Sequence, residues 1–165
     1  MTDFSEVVLE KAAREKLIEE IAAYAETDLL CYFAEEEALY ARQCEIWEPV
    51  LRAIEAHYGE TLERTQGIMP VAQPAFWRAQ VGKELSAYDD AALVAFATLV
   101  TNLGSVLLAL AIRHALIEMP AALDAAQLDE AYQQGEWGDD ADIAQALSEK
   151  ADKAEQAYAY LRAPA

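Results

Sequence analysis

A chain of 165 residues with 55% hydrophobic and 25% charged side chains has the length and composition of one globular domain, large enough to bury a core of its own. Twelve basic residues against 30 acidic ones leave a formal charge of −18, a surface that repels phosphate backbones and anionic lipid and so speaks against nucleic acid as a partner. Six Gly and five Pro are too few turns for an all-β fold, and the two cysteines, Cys31 and Cys44, lack any zinc-type spacing and read as reduced thiols.

Taken in chain order, the punctuation predicts long helices. The opening MTDFSEVVLEKAAREKL has no signal-peptide pattern. Ser5 can cap a helix over 7–25, with Val7, Leu9, Ala13, Leu17, Ile21 and Tyr24 near one face. Thr27 and Asp28 are cap-type residues before LLCYFAEEEALYARQCEIW, and the pattern continues past Pro49 to a stop at Gly59. Pro49 lacks an N–H to donate, which predicts a kink or a restart. Residues 60–75, with Gly67, Pro70 and Pro74, form the longest non-helical connection, and Pro74 suits the first turn of the short helix AFWRAQVGKELSA. Asp89 and Asp90 then cap a long helix, Pro120 opens another, and Asp139 or Asp140 opens the last.

Ala91 to Ile112 runs without a charge and is long enough for a membrane span. Alanine is frequent in it, however, Thr98, Thr101, Asn102 and Ser105 sit near its centre, and no aromatic belt flanks it. It reads as the central helix of a bundle, with Gly104 allowing close approach of a neighbour. Strand alternation and repeats are lacking. The expectation is an all-α fold: one domain over 1–165, a compact bundle of six to seven helices around one long apolar central helix.

Catalytic groupings are not found. A four-helix di-iron site needs ExxH on two helices, whereas neither His57 nor His114 follows a Glu by three. Glu35, Glu36 and Glu37 spread by about 100° per residue around a helix and read as a solvated face. His57 reads as a cap at a helix end. P-loop, dinucleotide and nucleophile-elbow patterns are missing. The sequence therefore calls for no enzyme, no metal and no cofactor. What remains is surface, in LDEAYQQGEWGDD at 128–140. Leu128, Tyr132 and Gly135 share one helical face, which Ala121 and Ala125 extend, and this is the expected core side. Leu123, Gln127, Glu130, Gln134 and Trp137 line a second face, roughly opposite. An acid and amides between a leucine and an indole have the composition of a contact surface. Spacing alone favours the plainer reading, in which Trp137 folds onto its own domain as the helix ends at Gly138 and Glu130 is merely solvated.

Five pieces read in order, AETDLLCY at 25–32, RQCEIWEPVL at 42–51, YGETLERTQGI at 58–68, TNLGSVLLALAI at 101–112 and LDEAYQQGEWGDD at 128–140, resemble the successive motifs of the ATP synthase F₁ assembly chaperones, the ATP-twelve family, assembly factor 2 in mitochondria. The resemblance implies a non-catalytic protein that binds the free α subunit of the catalytic head and shields it until the β subunit takes its place. It assigns the family's functional glutamate to Glu130, ahead of the pair Trp137–Gly138; Gln127, Gln134 and Leu123 join them as candidates only through the shared helical face. Family members carry a β-rich domain before the helical one; this chain starts where the helical domain should start and is expected to lack it. Gly135 also departs from the family pattern and weakens the helix by about 1 kcal/mol relative to alanine. A monomer in the bacterial cytoplasm is expected, since the chain starts at Met1 without an Arg-rich leader, or in the mitochondrial matrix if the source is eukaryotic. The rival reading is a small helical ligand-binding or enzymatic bundle using a pocket beside Gly67–Pro74, near Trp77. A deep enclosed cavity lined by acids would mark it.

Overall fold

The computed structural model describes residues 3–138 and 140–163; the side chain of Trp137 lies outside that description. Eight α-helices carry the described residues: α1 Lys11–Tyr24, α2 Glu37–Tyr58, α3 Ala75–Ser86, α4 Asp90–Leu103, α5 Val106–Arg113, α6 Met119–Ala126, α7 Leu128–Trp137 and α8 Ala141–Arg162. The all-α class is borne out, with eight helices where six to seven were expected. Two short strands were not foreseen: β1 (Tyr32–Phe33) pairs in parallel with β2 (Thr65–Gln66), Tyr32 opposite Thr65 and Phe33 opposite Gln66.

The apolar run forms two helices, not one long central helix. Gly104 ends α4 in the left-handed region at φ 67°, and Ser105 starts α5 by accepting the Leu108 N–H on its hydroxyl at 3.1 Å. Every residue from Val106 to Ile112 is buried. A helix apolar all round is thus enclosed by protein: α2, α4 and α6 pack on α5, while α8 lies along α4. No helix among the described residues is long and apolar enough to cross a membrane. Trp47 of α2 is fully buried, and its Nε1 donates to the Ala125 carbonyl at 3.0 Å, fixing α6 against α2.

Two helix starts depart from expectation, each through a contact from far along the chain. The first helix begins at Lys11, not after Ser5, because the preceding segment is held elsewhere. Asp90 accepts the Leu9 N–H at 2.9 Å and an Arg14 Nη1 bond at 2.9 Å, while Phe4 is buried against Tyr160. The second long helix begins at Glu37, capped by the Glu36 carboxylate, not at Leu29. Asp28 caps only a 3₁₀ turn over Leu29–Cys31, because its carboxylate also takes the Ser105 hydroxyl at 2.7 Å and the Leu107 N–H at 3.0 Å. Cys31 and Phe33 then turn inward on either side of the half-buried Tyr32, which is a strand pattern. Pro49 brings no restart: α2 runs through it, with Pro49 and Glu45 both exposed. Gly59, Asp89 and Asp140 act as stop and caps as expected, and Pro120 lies in the first turn of α6. Asp139 lies outside the described residues.

Candidate protein-docking face

The residues singled out by sequence gather where α6 passes into α7. Gln127 forms the joint, with its N–H on the Leu123 carbonyl and its own carbonyl taking the Ala131 N–H, each at 2.9 Å. Because α6 and α7 are separate helices, one set of helical angles does not carry across the joint. Ala122 and Ala125 are buried, while Ala121, expected on the core side, is exposed. Leu128 is buried as expected, Tyr132 only half so, and Gly135 is exposed.

On the second face the five residues fare differently. Leu123 packs half-buried against the core. Gln127 donates its side-chain amide to the Leu147 carbonyl at 2.9 Å, which ties this face to α8. The Gln134 amide nitrogen is shut off from solvent without a hydrogen-bond partner among the described residues. Glu130 is half-buried, and its carboxylate makes no hydrogen bond or ion pair with any described residue. Trp137 ends α7, and its side chain is outside the description.

A neighbouring set was missed in the sequence. Gln43, 1% exposed, donates to Asp129 at 2.9 Å and accepts the Ala34 N–H at 2.7 Å. The Tyr132 phenol interacts with the Glu36 carboxylate; this interaction is the main cause that holds the Glu36 carboxyl below its ordinary range, and it pushes the phenol up to about 12. The Gln43–Asp129 bond fastens α7 to α2. The only local signal for this set was the acid beside Glu130 in the LDE triplet. Next to Asp129 lies an open groove of about 290 Å³, lined by Phe33, Glu35, Gln43, Gly67 and Ile68 among others.

Around the rival pocket, Trp77 belongs to the core: it is fully buried, donates to the Thr61 carbonyl at 2.7 Å, and meets Tyr58 and Phe76 edge-on. His57 stands in the last turn of α2, stacked on His114 with centroids 4.6 Å apart; His114 in turn bonds Glu84. No group of three or more His, Cys, Asp or Glu among the described residues is arranged to hold a metal ion.

Comparison with known proteins points in one direction. The model of the ATP12 chaperone protein family matches residues 1–55. Among solved structures, Atp12 from Paracoccus denitrificans superposes with a TM-score of 0.85 at 28% identity, over 92% of this chain and 66% of that one. An aspartate-to-lysine mutant of the same protein gives 0.84 at 28% identity over the same shares. A protein from Agrobacterium tumefaciens described as a candidate chaperone gives 0.83 at 31% identity, over 92% of this chain and 57% of that one. The chain thus spans just under two thirds of the Paracoccus chains' length, and the likeness to ATP12 chaperones read from the sequence is borne out.

Proposed function

We propose, with the ATP12 likeness as premise, that the chain is a non-catalytic assembly chaperone of ATP synthase, one that binds the free α subunit of the F₁ head and shields it until β displaces it. The physical need is clear. An unassembled subunit exposes a large apolar interface, which is an aggregation hazard. Its guard must leave again, and a contact that mixes apolar area with a few charges serves reversibility better than a wholly apolar one.

The observation that carries the reading is Glu130: a half-buried carboxylate, at the position the resemblance assigns, with no bond to its own described domain. A cationic group of the client would gain a charge-assisted hydrogen bond there. Chaperone work follows the client's place of assembly, the bacterial cytoplasm or the mitochondrial matrix, with one copy of the chain per α. The test is capture of isolated α subunit by the immobilised purified chain. Retention of α, released by added β, is the expected result. A chain that fails to retain α, or retains unrelated unfolded proteins equally well, overturns the reading.

A further inference from the structure

The loop after β2 carries two consecutive large apolar side chains in water. Ile68 is 96% exposed and Met69 71% exposed. Single exposed apolar residues are ordinary, but an adjacent pair, one member of which (Ile68) lines a groove and the other of which follows it in the chain, is the pattern of a contact surface. Methionine adds a flexible, polarisable chain that adapts to different partners.

The backbone that presents this pair is built for the purpose. Gly67 donates its N–H to the Phe33 carbonyl at 2.8 Å, closing the β1–β2 pairing. It sits at φ 94°, and a Cβ added there would lie 2.6 Å from the Glu35 Oε1. Glycine therefore allows a carboxylate to lie directly against the chain at the root of the apolar pair. Glu35 is exposed, and it makes no hydrogen bond or ion pair with any described residue. Asp129 lines the same groove, and the only acidic or basic side chains lining it, among the described residues, are these two acids. Glu36 and Glu37 continue the negative field along the start of α2.

We propose that this groove docks an apolar segment of the client that bears a lysine or arginine, the apolar side chains lying on Ile68 and Met69 and the cation between Glu35 and Asp129. The inference rests on the chaperone reading above and adds to it a contact area beyond Glu130, which adjoins the groove through its chain neighbour Asp129. Charge complementarity selects this occupant: an acidic segment is repelled, and a second copy of a chain with net charge −18 brings the wrong sign to an acidic groove. The parallel ladder beside it is only two residues long, so side chains, not strand addition, supply the binding.

The probe is isolated α subunit, titrated against the purified chain and against Ile68→Ser/Met69→Ser and Glu35→Lys. All three substituted positions lie on the surface, so the thermal midpoint should stay within about 2 °C of the parent. Affinity should fall on the order of tenfold or more for the double variant and for Glu35→Lys, and the parent's affinity should weaken with added salt. Parent binding with both variants unchanged within about twofold overturns the groove and leaves the chaperone reading standing. A parent that does not bind α overturns both. Sedimentation of the parent as a dimer that the double variant abolishes would assign the pair to self-association and also overturn the proposal.

Discussion

Gln43 and Asp129, 86 residues apart, are joined by a 2.9 Å hydrogen bond that ties α2 to α7. Gln43 is almost fully buried and uses both ends of its amide, since its oxygen also accepts the Ala34 N–H. Gln43→Leu fills the same space but strands that N–H and frees the carboxylate. The expected loss is about 2 kcal/mol in chemical denaturation, mostly from the orphaned donor. Amide hydrogen exchange over 128–137 should quicken at the same time, because α7 loses a fastening to the body. Unchanged exchange there would show that α7 is held by other contacts.

Glu130→Gln separates docking from folding. The carboxylate has no described partner within the domain, so its charge should contribute little to stability. The thermal midpoint should stay within about 2 °C of the parent. Capture of free α should weaken by roughly ten- to a hundredfold, the value of one charge-assisted hydrogen bond at about 1.5–3 kcal/mol. A large fall in midpoint would make the glutamate structural.

Gln134 offers the reverse trade. Its amide nitrogen is buried without a described partner, a desolvation cost with no compensating bond. Gln134→Met keeps the length and removes the donor, so thermal denaturation should show a gain of about 1 kcal/mol. A loss would mean that the amide has a bond after all.

Helical caps were legible because they act locally. Asp89 accepts the Ala92 N–H three residues on, Asp140 accepts from Asp142 and Ile143, and Gly59 supplies the left-handed stop. Asp28 carries the same local signal, yet it does other work. Its carboxylate serves Ser105 and Leu107, 77 and 79 residues away, and no spacing rule reports such partners. Burial pushes its pKa up against those same hydrogen bonds, so the position is set by tertiary structure. The same asymmetry holds at the site. The LDE triplet pointed to Glu130, whereas the Gln43 anchor beneath Asp129 had no pattern to betray it.

Gly104 was read as a packing residue and is a turn residue instead. Nothing lies within 4 Å of where its Cβ would be, so alanine meets no clash there. The cost of Gly104→Ala is conformational: φ 67° is unfavourable for any residue with a Cβ. A loss of about 1 kcal/mol is expected by denaturant titration, with the slope of the transition unchanged. A neutral result would mean that α4 and α5 can join into one longer helix.

Acid titration should report on Glu55 and Arg64. Arg64 grips Glu55 with two nitrogens, at 2.7 and 3.0 Å, and Glu48 with Nε at 3.1 Å, while the Leu62 N–H adds a bond to Glu55 at 2.8 Å. The Arg64 hydrogen bonds are the largest cause holding the Glu55 carboxyl below its ordinary range. A carboxyl depressed in the folded state binds fewer protons there than in the unfolded chain. Its stabilisation is therefore complete above the unfolded pKa of about 4.3 and is lost as pH falls from there through the lower folded value. Glu55→Gln should cost about 1 kcal/mol at neutral pH, a figure held down by partial exposure. Between about pH 5 and pH 3 its thermal midpoint should fall less steeply than the parent's, because glutamine has no proton to gain. Parallel midpoint curves for parent and variant across that range would show that another carboxylate, such as Asp90 beside Arg14, governs the acid limb.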